Sequence, residues 1–346
     1  MATLPAQDST IARIYRAIGA AEPDERRPHL GASLIGHECL RYLWYVFRWC
    51  ESREVSGRLL RLFRRGRLEE EQLSADLARA GIEIVAHDEH GRQYSFSDIG
   101  GHAGGSMDGA ALGLIEAPKT WHVLEYKTHS SRSFAQLARD GVEKTKPEHH
   151  AQMMLYMHWS GMKRAYYLAV NKDTDDLYGE RIHYDAVRAG ALVERARQVI
   201  AASRPLPRLS EKPEYYACKM CRARSVCHEG RIPEATCRTC LHATPEMDGA
   251  ARWSCALHKR DLTPAEQGAG CRQHLYIPDL IPVQAINADE THNSVTYRLP
   301  NGIEFTNGPK GEMSYPSSEL AALPISMIGD LVVRFLRRDM DAEVIA

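Results

Sequence analysis

Three residues in one stretch of this chain are of types that do chemistry together. Gly105-Ser106-Met107-Asp108-Gly109 sets a carboxylate on an extended, glycine-rich segment, and Glu125-Tyr126-Lys127 follows it. If 103–112 and 120–127 pair as a hairpin, Asp108 and Glu125 meet at one end of it. Two carboxylates there form a hard oxygen site suited to magnesium or manganese. Lys127 is two residues after Glu125, on the same face of the strand. A metal so held polarises a phosphate and lowers the pKa of an attacking water. The lysine orients that water or offsets the charge that builds on phosphorus. The set meets the needs of phosphodiester hydrolysis. Taken alone, an E-x-K tripeptide reads equally as a surface pair and Asp108 as the end of a turn; the order Asp, strand, turn, E-x-K carries the reading.

Those residues need elements to position them. Residues 10–19 read as a short helix. Ser33 is placed to cap a helix that runs through Cys39, Tyr42, Trp44, Tyr45 and Phe47. A longer helix spans about 56–80, with Leu59, Leu62, Phe63, Leu73 and Leu77 at helical spacing, and Gly81 ends it. Strands are expected at 82–87, 103–112 and 121–127, with Pro118 and Lys119 in the turn between the last two. Pro147 opens a helix to about 160. Strands at 165–170 and 178–184 follow, and Asp185 caps a helix to about 203. The order is helix, three strands, helix, strand. Beyond the stiff Arg204-Pro205-Leu206-Pro207 linker, cysteine, proline and glycine replace periodic apolar residues. The tail carries a hairpin signal, 295–299 and 303–306 around Pro300-Asn301-Gly302, and closes with a helix at 328–338. No internal repeat or low-complexity tract is present.

This arrangement resembles the RecB-like branch of the PD-(D/E)XK nucleases, in which a helix-borne motif precedes the Asp and a Gln-x-x-x-Tyr motif follows the Lys. Gln152-Met153-Met154-Leu155-Tyr156 matches the second, with Gln152 and Tyr156 on one helix face. Gly66-Arg67-Leu68-Glu69-Glu70 resembles the first. In that register Glu70 is a further metal-site carboxylate, although many members carry His there, and Glu69 takes its place if the register slips by one. The resemblance implies an α/β fold with a restriction-endonuclease-like αβββαβ core. It implies catalytic roles for Asp108, Glu125, Lys127, Glu70, Gln152 and Tyr156, and a metal site at Glu70, Asp108, Glu125 and Tyr126. Read without it, Gln152 and Tyr156 lie on an ordinary amphipathic helix whose Met153, Met154 and Leu155 are core. His149 and His150 could touch a phosphate, but adjacent histidines are more often exposed polar residues, and neither is assigned.

Nine cysteines are present. In a reducing compartment thiols read as metal ligands before disulfides. Cys218-x2-Cys221-x5-Cys227, with Cys39 far upstream, resembles the iron–sulfur members of the family, the AddB-type helicase–nucleases and CRISPR-associated RecB-like exonucleases. There one upstream and three downstream cysteines hold a [4Fe–4S] cluster. A rival set is Cys218, Cys221, Cys227 and His228 around zinc, with Cys39 a buried small hydrophobe. Cys237-x2-Cys240, Cys255 and Cys271 read as a structural zinc site of a C-terminal module, with His258 or His274 able to replace a cysteine. That stretch looks too short and polar to fold by apolar burial, so a metal would organise it. Cys50 has no partner in this scheme.

The chain is 346 residues long, 44% hydrophobic and 26% charged, with a net charge of -1. This is an ordinary soluble composition, without an apolar run long enough to span a membrane. Residues 1–10 do not read as a signal peptide, so a cytoplasmic place is expected. Near-zero charge does not exclude nucleic acid when a local basic face exists, and Arg58, Arg61, Arg64, Arg65 and Arg67 offer one, or a merely solvated helix face. Trp44 and Tyr45 could stack on bases or fill a core. The expected division is an N-terminal helical segment 1–55, a nuclease core 56–205, cluster cysteines 206–230, a zinc module 231–280 and a hairpin-plus-helix tail 281–346. The expected function is metal-dependent exonuclease action on DNA ends or single strands, in recombination, repair or phage DNA metabolism. The expected partner is DNA, with a homo-oligomer or a recombination or repair protein as further partners. The alternatives are a non-catalytic DNA-binding or assembly protein, and a phosphotransferase hinted at by Gly100-Gly101 and Gly104-Gly105. No G-x-x-x-x-G-K-[ST] motif supports the latter.

Overall fold

The computed structural model describes residues 9–21, 26–51 and 55–345. Most of the segment weighed above as a signal sequence, residues 1–8, lies outside them. Among the described residues the chain forms a mixed α/β structure with four sheets. It begins with α1 (Thr10–Ala21), β1 (Leu30–Gly31), α2 (Ala32–Ile35), α3 (Leu40–Phe47) and α4 (Gly57–Arg79). The helix expected from Ser33 onward is two helices. Gly36 lies so close to α-carbon and side-chain atoms of Glu148 and Ala151 that a Cβ there would sit 2.6 Å from Ala151 Cβ. The chain breaks at that crossing and restarts at Cys39, whose sulfur accepts from Tyr42 N at 3.4 Å. Ser56 caps α4, and Gly81, expected to end it, follows in the left-handed region.

The central sheet is built from β2 (Glu83–Val85), β5 (Gly109–Leu112), β6 (His122–His129), β7 (Arg164–Asn171) and β8 (Leu177–His183), in that spatial order. Between β2 and β5 the chain makes β3 (Ser95–Asp98) and β4 (Ala103–Ser106), which join β1 in a separate sheet. The single strand expected at 103–112 is therefore two strands in two sheets. Gly104 and Gly105 are the reason. A Cβ on Gly104 would run into the Phe96 carbonyl oxygen, and one on Gly105 would lie 2.8 Å from Tyr156 Oη. The glycines let β4 close against β3 and α6 (Pro147–Ser160), and the turn out of β4 delivers Asp108 to the start of β5. α5 (Ser131–Thr145) was not anticipated: its sequence is polar and Gly141, at φ 76°, interrupts it. α7 (Ala186–Ala201) is capped by Asp185, which accepts from Val187 N and Arg188 N.

Strand alternation sorts the sheet's side chains onto two faces. Leu124, Tyr126, Leu168 and Val170 pack beneath α4 with Leu73 and Leu77. Val123, Ala165, Tyr167 and Ala169 belong to the larger core, with Met153, Met154 and Met157 of α6.

The cysteine-rich stretch contains α8 (Tyr216–Lys219), α9 (Arg224–Cys227), β9 (Ala243–Pro245), β10 (Trp253–Cys255), β11 (Arg260–Leu262) and α10 (Pro264–Ala269). It is not too polar to bury an apolar core, contrary to expectation. Trp253, Leu262, Leu275, Tyr276 and Ile277 are buried and continuous with the core of the N-terminal helices. Arg238 locks the two together. Its guanidinium donates to the carbonyls of Phe47 (3.1 Å) and Pro28 (2.9 Å) and to Gln267 Oε1, over the ring of Trp49. Burial without a carboxylate pushes its pKa down to about 9. Last come β12 (Gln284–Asp289), β13 (Ser294–Arg298), β14 (Glu304–Asn307), β15 (Ser314–Tyr315), α11 (Ser317–Ala322) and α12 (Leu331–Asp339). The expected hairpin pairs Arg298 with Glu304 across β13 and β14. Among the described residues no helix is long and apolar enough to cross a membrane.

Candidate active site

Antiparallel pairing of β5 and β6 sets Gly109 opposite Leu124. Asp108, one residue before β5, thereby reaches the middle of β6, and its Oδ2 accepts from Tyr126 N at 2.9 Å. Glu125 is fully buried. Its Oε1 is in contact with the Lys127 ammonium, and its Oε2 is buried with no partner. Lys127 Nζ also donates to the Tyr126 carbonyl at 3.1 Å. What Tyr126 offers the site is thus its backbone; its side chain points to the opposite face, where its hydroxyl meets Ser74 Oγ at 3.0 Å.

The electrostatics follow from crowding around a buried carboxyl. Burial pushes the Glu125 pKa up to about 8; Lys127 opposes the shift and the Asp108 charge adds to it. Burial also raises Asp108, against the pull of Lys127 and the Tyr126 N–H. Glu70 on α4 is raised by burial and then by Asp108, which sets it beside this group. Burial works against the Lys127 charge, yet Glu125, Asp108 and Glu70 hold its pKa above the usual lysine value. Glu69 instead pairs with Arg65 at 3.9 Å. One carboxyl contacts the ammonium, two more lie within its electrostatic reach, and one buried carboxylate oxygen has no donor. Such a donor set suits a hard divalent cation, although among the described residues no three His, Cys, Asp or Glu side chains converge as a ready metal cage.

Gln152 and Tyr156 are buried on the face of α6 toward this corner. Gln152 Nε2 donates to Tyr156 Oη at 3.4 Å, and Tyr156 Oη donates to Ser106 O at 2.7 Å, two residues before Asp108. A polar network that sequence reasoning missed lies behind them. His129 Nε2 and His149 Nδ1 lie 2.8 and 2.9 Å from Tyr167 Oη. Position alone was the available signal: His149 is three residues before Gln152, on the same helix face. His150 is not exposed either; it is buried, and its Nδ1 accepts from Arg188 at 3.3 Å. Arg58, Arg61, Arg64 and Arg65 of α4 line a groove with Lys172. Trp44 and Tyr45 are core residues, buried to 0% and 2% exposure, and have no surface to offer a base.

All nine cysteines are free thiols. Cys39, Cys218, Cys221 and Cys227 line one pocket, which His228 also borders. Burial raises the Cys218 and Cys221 thiols, and neighbouring thiols of this set, Cys39 and Cys227 among them, raise both further. Cys237, Cys240, Cys255 and Cys271 line a second pocket with His258. Burial pushes Cys237 up to about 12, with Cys240, Cys271 and Cys255 adding to it. His274 borders this pocket too, but its Nε2 lies 2.9 Å from Thr236 O. His258 Nε2 is 3.7 Å from Cys271 Sγ, which makes it the histidine nearer to serving as a ligand.

No protein-family profile matches the chain, and no curated protein does. Among solved structures it is similar to LHK-Exo in complex with dAMP, at 18% identity and a TM-score of 0.38 over 51% of this chain and 89% of the other. It is similar to the alkaline exonuclease LHK-Exo from Laribacter hongkongensis, at 16% identity and a TM-score of 0.38 over 54% and 91%. SSO0001 aligns at 14% identity and a TM-score of 0.39 over 64% and 98%.

Proposed function

We propose that this chain is a metal-dependent DNA exonuclease with a RecB-like PD-(D/E)XK core. The observation that carries the proposal is the corner itself: half-buried Asp108 and Lys127 flank a fully buried Glu125 whose Oε2 has no partner. Glu70, Asp108, Glu125 and the Tyr126 carbonyl would hold magnesium or manganese, which supplies Lewis acidity and an activated water. Lys127 orients that water and offsets charge on the phosphate. Tyr156, through Ser106, fixes the turn that presents Asp108. The arginine-lined groove of α4 gives phosphates of the DNA backbone a track. Work at DNA ends or single strands in recombination, repair or phage DNA metabolism fits such a centre.

The test is cleavage of end-labelled single- and double-stranded DNA with manganese, magnesium or EDTA, by wild type and Lys127→Ala. Metal-dependent cutting that disappears in the variant, with DNA binding kept, is expected. A variant that cuts at the wild-type rate refutes the site. Wild-type protein that binds DNA but never cuts it is instead a binding protein.

We propose two further metals, one at each thiol pocket. Cys39, Cys218, Cys221 and Cys227 would hold a [4Fe–4S] cluster, which would staple α3 to the segment after α7. Cys237, Cys240, Cys255 and Cys271 would hold zinc. Protein purified without air is expected to be brown and to contain both metals. Cys39→Ala should lose iron and keep zinc; colourless wild type with zinc in both pockets favours the rival set with His228.

A further inference from the structure

A line of hydrogen bonds behind the carboxylate corner ends on an imidazole that the reading above does not use. Lys146 Nζ donates to Ser133 Oγ at 2.7 Å. Ser133 Oγ lies 3.0 Å from His129 Nδ1, and Tyr167 Oη bridges His129 Nε2 to His149 Nδ1. An ammonium only donates. Ser133 Oγ therefore accepts from Lys146, and the assignment that keeps its own proton within the line sends that proton to His129 Nδ1. His129 then carries its proton on Nε2 and gives it to Tyr167 Oη, and Tyr167 gives its hydroxyl proton to His149 Nδ1. In this assignment every proton along the line is donated within it; the reverse direction leaves the Ser133 proton without an acceptor there. His149 is left with a proton on Nε2. Both imidazoles are neutral at neutral pH: burial pushes His149 down to about 3, with Lys127 adding to it, and His129 to about 4.

The elements say where that N–H stands. Tyr167 is the register partner of Glu125 across β6 and β7. The His149 ring stacks on Tyr167, with centroids 5.8 Å apart and planes 25° apart. With Nδ1 turned to Tyr167, Nε2 is on the far edge of the ring. His149 shares its helix face with Gln152 and Tyr156, whose own groups already bond to Tyr156 and to Ser106 O. Among the described residues no group takes the Nε2 proton.

We propose that His149 contacts the DNA substrate at this centre, its Nε2–H donating to an oxygen of the phosphate beside Lys127, and that Tyr167, His129, Ser133 and Lys146 are positioning residues that fix its tautomer. The proposal rests on the phosphodiesterase reading above. A neutral donor oriented in advance stabilises charge that grows on phosphate oxygens and needs no reorganisation when it does.

Wild type, His149→Leu, His149→Gln and Tyr167→Phe are compared in steady-state cleavage of end-labelled DNA at saturating manganese. Glutamine keeps an N–H near the position of Nε2, and leucine keeps bulk without a donor. His149→Leu is expected to lower kcat about 100-fold with KM changed less than about two-fold, and His149→Gln to stay within about ten-fold of wild type. Tyr167→Phe falls between them. Wild-type kcat in His149→Leu overturns the proposal, as does His149→Gln no better than leucine when both melt like wild type. If His149→Leu does not fold, Tyr167→Phe decides, and an unchanged kcat overturns the proposal. These outcomes presuppose a wild type that cuts; one that does not cut refutes the phosphodiesterase reading and this proposal with it.

Discussion

At the scale of single residues, this protein puts titratable groups where water is scarce and lets neighbours decide their charge. Glu125 keeps its proton more readily than a surface carboxyl because burial penalises the anion. The same rule acts far from the site on His274, which burial pushes down to about 4 while its Nε2 meets the Thr236 carbonyl. Its folded pKa lies below the usual 6.5, so the unfolded chain binds the extra proton first as pH falls. The stability it contributes is present above about pH 6.5 and is lost between there and about pH 4. His274→Gln should flatten that part of the stability profile. Denaturation midpoints at pH 5 and 7.5 check this: the drop on acidification should be larger for wild type, and equal drops would mean that His274 is not buried in its neutral form.

At the scale of elements, glycines set the close approaches on which the site depends. The three-stranded sheet of β1, β4 and β3 exists because Gly104 and Gly105 carry no side chain. Gly104→Ala drives a methyl into the Phe96 carbonyl, a backbone atom that cannot swing away. It should cost about 1–3 kcal/mol, and by displacing the turn before Asp108 it should weaken cleavage as well. A chemical-denaturation curve superimposable on wild type would contradict the packing described.

At the scale of the whole molecule, the cysteine-rich stretch and the N-terminal helices share one core. Arg238 donates to carbonyls of residues 28 and 47, and Arg48 donates back to the carbonyls of Arg238 (3.3 Å) and Ala243 (3.2 Å). Removing the Arg238 guanidinium strands buried carbonyls, so Arg238→Ala should destabilise by about 3 kcal/mol or more. The two regions should unfold together in differential scanning calorimetry. Two separate transitions in the wild type would show that the module folds by itself.

The sequence by itself determined the local pieces. The α4 boundaries, the Pro147 start of α6, the Asp185 cap and the β13–β14 hairpin were all legible, because caps, prolines and turn residues act within a few positions. It also singled out Asp108, Glu125 and Lys127, whose i, i+2 spacing and flanking strands are local facts. The tertiary structure alone decided that 103–112 is two strands, since the clash that forbids one strand comes from Phe96 and Tyr156. It broke the helix after Ser33 against Ala151, and it turned Trp44 and Tyr45 inward. It also joined His149, Tyr167, His129, Ser133 and Lys146, five residues from four neighbouring segments whose polar side chains look like solvated surface in the linear order. Burial and hydrogen-bond direction are properties of neighbours in space, and no spacing along the chain encodes them.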